Sequence, residues 1–247
     1  MDLNETTKEV LNRHPWELSR TKCVLNQFAR YLGNTDKMAV YANIGAGDLY
    51  FDRALLKRYA KHRVYAVDIA YKNLESGDGR IHKYHFFEEI PQKSIDYAIM
   101  MDSLEYMERD AAYVKKISRE IKSGGYFFFT LPAFPILFSD YDINIKNLRR
   151  YNRKSFAAML KEIPELEIIE EYYFYTSLFL VRLIQKFLHI PIDPDHKFTA
   201  NWGYGEDTWI TRLLTACLNL DFSINKMLGR LGIYFPGLSM IAICRKK

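Results

Sequence analysis

Along this chain, short apolar runs alternate with stretches whose apolar residues recur every three or four positions, the periods of strand and helix. The sharpest junction lies at 40–51, where an apolar run ends in Gly45-Ala46-Gly47 and passes into helical spacing at Phe51, Ala54, Leu55 and Tyr59. This predicts a strand, a tight glycine turn and a helix. Glycine lacks a Cβ, so the main chain there can take a positive φ and a ligand can lie directly against it. The following helix points its free N–H groups at the same place.

Residues 7–33 predict a helix, with Leu18, Cys23, Leu25, Phe28, Ala29 and Leu32 as apolar faces and Gly33-Asn34 as the stop. Pro15 suits its first turn, and Trp16 reads either as a packing anchor or as part of a lid over a ligand. Further strands are expected at 63–68, at 80–87 after the Gly77-Asp78-Gly79 turn, at 94–102 and at 126–131. A helix presenting Ala111, Val114, Ile117 and Ile121 precedes the last of these, closed by Lys122-Ser123-Gly124-Gly125. The alternation from 38 to 132 predicts an α/β, doubly wound parallel sheet, because parallel neighbours need crossover helices. A ligand then sits outside the strands' carboxyl ends, which carry Gly45, Gly47, Asp68, His85, Phe86, Asp102 and Pro132.

After Pro132 comes a long loop, 133–148, with Asp140, Tyr141, Asp142 and Asn147. Arg149-Arg150-Tyr151-Asn152-Arg153-Lys154 then reads either as a solvated helix start or as an anion clamp. A helix at 155–162 and strands at 167–175 and 238–244 follow. Between those strands lie helical patterns at 178–188 and 209–231 and a Pro- and Asp-rich link at 190–196. This insertion reads as a helical cap on the sheet in preference to a substrate or membrane-surface platform, because its polar residues do not segregate cleanly. The expected organisation is an N-terminal helical arm, 1–37, and a main domain, 38–247, that includes the insertion at 176–237.

Composition adds bounds. With 247 residues, 49% apolar and 26% charged, the chain can bury one sizeable core. A net charge of +5 favours anionic substrates or surfaces without implying nucleic acid. The start, Met1-Asp2-Leu3-Asn4-Glu5, lacks the basic-then-apolar order of a secretory signal. Cys23, Cys217 and Cys244 are too scattered for a disulfide framework or a zinc site, so no metal is expected and the compartment expected is reducing cytoplasm. Arg182, Gln185 and Lys186 interrupt the most apolar stretch, 172–190, which argues against a membrane span. Asp68 stands 21 positions after Gly47 at a strand end, where it can accept both hydroxyl protons of a ribose or cap a helix.

In order and spacing, the glycine turn, Asp68, Ile95-Asp96-Tyr97 with Leu104-Glu105-Tyr106, and Lys122-Ser123-Gly124-Gly125-Tyr126 resemble a class I S-adenosylmethionine-dependent methyltransferase, from about Met38 to Lys247. The resemblance implies a Rossmann-like seven-stranded sheet of order 3-2-1-4-5-7-6 with strand seven antiparallel. It implies S-adenosylmethionine as cofactor and S-adenosylhomocysteine as product. A narrower resemblance is to bacterial small-molecule methyltransferases whose strand-five loop reads Pro-Ala, Asp, then His-x-Arg-Arg-Tyr. Here it is Pro132-Ala133, Asp142 and Asn147-Leu148-Arg149-Arg150-Tyr151. Three departures stand out: Asn43 for the usual acid, Leu49 for a third glycine, and Asn147 for histidine, whose amide does not titrate.

Carried over residue by residue, the resemblance places Asn43, Gly45, Ala46 and Gly47 at the cofactor's methionine portion and Asp68 with Ile69 at its ribose. It puts the region of His85 and Phe86 at the adenine, and Asp102 with Ser103 near the methionyl amine or the methyl group. Candidate bases are Asp142, His85 and Tyr151. Tyr106, Pro132, Phe134, Asn147, Arg149 and Arg150 would contact the acceptor, the arginines through a carboxylate or phosphate. The activity implied is methyl transfer to oxygen or nitrogen of a small polar or anionic acceptor of saccharide, lipid-linked or natural-product type. The alternatives are a degenerate fold that binds cofactor or partner without catalysis, and an RNA methyltransferase, which so small and dispersed a charge disfavours. The expected partners are a small molecule and no nucleic acid, with peripheral membrane contact left open, and the expected state is monomer or homodimer.

Overall fold

The computed structural model describes residues 12–32, 37–71, 79–91, 95–189 and 203–247. Helix α1 (Pro15–Tyr31) is followed by β1 (Val40–Ile44), α2 (Tyr50–Arg58), β2 (Arg63–Val67), β3 (Ile81–Tyr84) and β4 (Ile95–Met101). Then come α3 (Asp110–Glu120), β5 (Ile121–Pro132), α4 (Asp140–Asn144), α5 (Arg153–Leu160) and β6 (Leu166–Phe174). The appendage, α6 (Thr176–Phe187) and α7 (Trp209–Arg230), precedes β7 (Ser239–Lys246). The sheet runs β3-β2-β1-β4-β5-β7-β6 with β7 antiparallel to both neighbours, the order and polarity expected.

Pleating sends alternate residues to opposite layers. Phe127 and Phe129 face α3 and α5 in one core, while Phe128 faces α1, α2 and α7 in the other. The second core includes Phe28 of α1, whose ring centroid lies 4.5 Å from that of Phe128 and 5.0 Å from that of Tyr41. Helix α1 is therefore a layer of the sheet's own core. It starts where Pro15 occupies the first turn and His14 accepts from the Trp16 N–H. Burial lowers the His14 pKa to about 4, which keeps the imidazole neutral and able to accept. The predicted start at residue 7 lies outside the described residues.

One local expectation is corrected. Lys122 to Gly125 do not close α3 but bulge within β5 opposite Asp96, between the pairs Ile95–Ile121 and Tyr97–Tyr126. A Cβ on Gly125 would come 2.5 Å from the Asp96 carbonyl oxygen, so glycine lets the strands close. Between β3 and β4 the described residues show one turn of 3-10 helix, Phe87–Glu89. The 190–196 link lies outside the described residues. Among those residues no helix is long and apolar enough to cross a membrane.

If α1 belongs to the core, Phe28→Ala should lower unfolding stability by about 3–5 kcal/mol, measured by urea denaturation. A loss below about 1 kcal/mol would mark α1 as a detachable arm.

Candidate cofactor and acceptor site

At the carboxyl end of β1 the chain turns sharply, with Gly45 at φ +76° and Gly47 at φ +59°. Gly45 packs against the next strand: a Cβ there would lie 2.5 Å from the Ser103 Cβ. Ser103 is fixed in turn, its hydroxyl donating to the Ile44 carbonyl at 2.8 Å. Leu49 caps α2 in the left-handed region at φ +67° with its side chain buried. The position thus keeps the conformation glycine would favour, at a strain of about 1–2 kcal/mol.

Asp68, buried at the end of β2, reaches across to this turn. One carboxylate oxygen accepts from the Gly47 N–H at 2.9 Å, the other from the Ala70 N–H at 2.9 Å. Each oxygen retains a second lone pair. Next along the edge, Ile69 and Phe86 expose apolar side chains at the ends of β2 and β3, where a flat ring could lie. His85 packs edge-on to Phe86, with ring centroids 4.1 Å apart.

Asn43 does not face the turn as a free amide: its Nδ2 donates to both oxygens of Asp52, at 2.9 and 3.0 Å. That leaves Asn43 Oδ1 a buried acceptor without a partner. Burial raises the Asp52 carboxyl from 3.8 to about 7, with the Asn43 hydrogen bond pulling the other way.

Sequence reasoning missed what α1 brings to this edge. Arg13 pairs with Glu17 and with Asp48 of the glycine turn, and its guanidinium lies 3.7 Å from the Tyr50 ring centroid. Two turns on, Arg20 pairs with Asp102 at the end of β4 and stacks over Trp16 at 4.3 Å. Asp102 itself sits at φ +47° and accepts from Thr130 Oγ1 at 3.2 Å. Arg20 Nε is a buried donor without a partner. An arginine mid-helix carries no local signal; only the fold shows where it points.

The second residue missed is Glu105, which follows β4 in the 3-10 turn Leu104–Tyr106 with Tyr106 half-buried beside it. Burial raises its carboxyl to about 7 against the opposing pull of Arg20 and Arg150. Its Oε2 is buried without a partner. The motif Leu104-Glu105-Tyr106 could have shown it, as an acid between apolar residues at a strand end.

The three predicted bases fare differently from expectation. Asp142, fully buried, accepts from the Ser139 N–H (3.0 Å), Ser139 Oγ (3.4 Å), Asn147 Nδ2 (3.1 Å) and Arg150 Nε (2.9 Å). Four donors fill a carboxylate's four lone-pair positions, so Asp142 is the hub of its loop and not a base. Tyr151 donates to Asp110 at 2.8 Å, and burial with that bond pushes its hydroxyl far above the ordinary tyrosine range. It stays protonated. His85 follows the end of β3, a strand four spacings or about 19 Å from β5.

The strand-five loop is bound back onto the strand. The Tyr151 N–H donates to the Pro132 carbonyl and the Phe134 N–H to the Tyr151 carbonyl, both at 2.8 Å. Phe134, at φ +59°, packs its ring on Tyr173 and Phe179. Arg149 is held by Asp110 and the Glu108 carbonyl, Arg150 by Asp142 and the Ala133 carbonyl. The arginines and Asn147 thus serve first as internal ties, which corrects the reading of a free anion clamp. A cleft between Arg30, Tyr31, Glu170 and Tyr234 lies beside edge strand β6, away from the glycine turn.

Residues 42–129 match the family of methyltransferase domains. Over that stretch, which runs from β1 into β5 and holds the glycine turn, Asp68 and Asp102, the chain is similar to methyltransferase domains. Its fold is similar to that of a sarcosine dimethylglycine methyltransferase candidate from Galdieria sulphuraria, at 16% identity and TM-score 0.57 over 93% of this chain and 86% of that one. It is similar to phosphoethanolamine N-methyltransferase 2 of Haemonchus contortus in complex with S-adenosyl-L-methionine, at 16% identity and TM-score 0.54 over 92% of this chain and 52% of that one. The cyclase SpnF shares it too, at 14% identity and TM-score 0.57 over 97% and 84%. No curated protein matches the chain by sequence.

This edge of the sheet should leave a pH signature. Asp52 holds its proton more tightly folded than unfolded, so its stabilising contribution is complete below pH 3.8 and lost as pH rises to about 7. Thermal melts between pH 5 and pH 8 should show a decline that Asp52→Asn flattens; an unchanged slope in the variant would contradict the assignment.

Proposed function

We propose that the chain transfers a methyl group from S-adenosylmethionine to oxygen or nitrogen of a small polar or anionic acceptor. The observation that carries this is a pair of buried, unpartnered polar atoms beside the glycine turn. Arg20 Nε lacks an acceptor and Asn43 Oδ1 lacks a donor. A methionyl group, with one carboxylate and one ammonium, supplies both, and Asp102 adds a countercharge for the ammonium. The spare lone pairs of Asp68 fit ribose hydroxyls, and Ile69 and Phe86 fit the faces of an adenine.

The sulfonium brings an already activated methyl group, so the protein's task is to align the acceptor and exclude water. Residues of α1 close over the turn through Arg13 and Arg20, while the Asp142 hub keeps the strand-five loop in place beside β4. Where the acceptor keeps its proton, Glu105 replaces the expected bases: its carboxyl is poised near neutrality next to Arg20 and Arg150. The loop follows the order of the narrower bacterial group, which favours a saccharide, lipid-linked or natural-product acceptor. Arg150 uses Nε and Nη1 internally and has further N–H groups to offer an anion.

A second reading, a fold that binds the cofactor without turning over, draws on the saturation of Asp142 and the protonation of Tyr151. Methyl transfer from labelled cofactor across a panel of acceptors separates the two, and any turnover ends the second.

Calorimetry tests the cofactor seat. S-adenosylhomocysteine should bind the wild type and lose affinity about tenfold or more in Asp68→Ala and in Arg20→Gln, since charge-assisted hydrogen bonds are worth roughly 1.5–3 kcal/mol. Methylthioadenosine, which lacks the amino-acid end, should bind wild type and Arg20→Gln alike. Equal losses for both ligands would remove Arg20 from the methionyl site, and no binding to the wild type would end the proposal.

With an acceptor in hand, kcat/KM should rise with pH to a plateau above about pH 7. Glu105→Gln should abolish that limb; a variant with the wild-type profile would exclude Glu105 as the base.

A further inference from the structure

The appendage buries one stripe and exposes another of the same apolar character. Inward, α7 places Thr211, Leu218, Phe222 and Asn225 against the body, and α6 places Phe179. Outward, α7 presents Leu213, Leu220, Ile224 and Met227, and Leu231 follows just past its end, with Leu220 61% and Leu231 69% exposed. Outward on α6 stand Val181, Ile184 and Leu188, and the turn after α7 adds Ile233 and Phe235, all exposed. Trp209, at the start of α7, is 72% exposed. So many large apolar side chains on neighbouring elements exceed the scattered exposure of ordinary surfaces.

Charge decides the occupant. On α7 three cations, Arg212, Lys226 and Arg230, stand against a single acid, Asp221, while the α6 cations turn to the strand-five loop, Arg182 over the Tyr141 ring and Lys186 to the Ile136 and Phe138 carbonyls. That acid is spent at the start of α6, where it accepts from the N–H groups of Thr176 and Ser177 at 3.0 and 2.9 Å and from Ser177 Oγ at 2.6 Å. Arg212 holds Asp207 in an exposed pair, which is weak and easily exchanged, and Arg230, itself half-exposed, reaches Glu170 at a long 3.5 Å. A second copy laid on this face would meet the same cations and find no outward acid on either helix to set its register. An anionic bilayer supplies both a phase for the apolar stripe and countercharge for its border.

We propose that α6, α7 and the 231–235 turn form a docking face for an anionic membrane surface, lying in the interface without spanning it. The face adjoins the site: Lys186, on the other side of α6, donates to the Ile136 and Phe138 carbonyls of the strand-five loop. Docking is independent of the acceptor's identity and of cofactor binding.

Flotation of the full chain with vesicles of equal parts phosphatidylcholine and phosphatidylglycerol tests this, with phosphatidylcholine vesicles as the comparison. The wild type should float with the anionic vesicles only and be released by high salt. Leu220→Asp with Met227→Asp should weaken binding about tenfold or more while melting at the wild-type temperature, both positions being exposed. Light scattering of both proteins without lipid accompanies the assay. A wild type that stays unbound, a variant that floats undiminished, or a wild-type dimer that the variant dissociates without either binding lipid would overturn the proposal.

Discussion

The geometry of the site depends on one ion pair. Arg20 meets Asp102 across the carboxyl edge of the sheet, both largely withdrawn from water, and Trp16 stacks on the guanidinium. Removing one partner from such a pair leaves a poorly solvated charge, so the pair fixes α1 in place more than it adds net stability. Burial lowers the Arg20 pKa, the sign of a cation held where water is scarce. With Arg13 on Asp48, the helix is tied at both ends of the glycine turn. What hydropathy marks as a leading arm is thereby the roof of the proposed cofactor seat and, through Phe28, part of the core beneath it.

Around this roof the carboxylates divide by environment. Asp142 is saturated by donors and organises the loop after β5. Asp68 has donors on one lone pair of each oxygen and room on the others. Asp52 and Glu105 are buried without cationic partners in contact, and burial carries both toward neutrality. One residue type thus serves as a structural hub, as a carboxylate with lone pairs to spare and as a carboxyl carried toward neutrality, according to what each oxygen touches.

The fold was largely legible in the sequence because its strands are buried on both faces and read as uninterrupted apolar runs, as at Ile95–Met101. The glycine turn and Asp68 were legible for the same local reason: strand, turn and acid follow a spacing that the sheet dictates. The rest needed three dimensions. Arg20 and Glu105 matter through partners on other elements, Arg20 being 82 residues from Asp102. Asp142 looked free because its four donors come from a loop whose closure no local pattern encodes. Lys122 to Gly125 carried a helix-stop signal, which the tight approach of Asp96 turns to a bulge instead. The outward stripe of α7 stayed hidden because a helix apolar on two sides shows no simple amphipathic period.

The most direct test of the account is a crystal structure of the chain with S-adenosylhomocysteine. The account predicts the ribose hydroxyls on Asp68, the amino-acid carboxylate on Arg20 and α1 still closed over the Gly45–Gly47 turn. A ligand bound elsewhere, or one whose carboxylate lies in solvent while Arg20 remains on Asp102 alone, would contradict it.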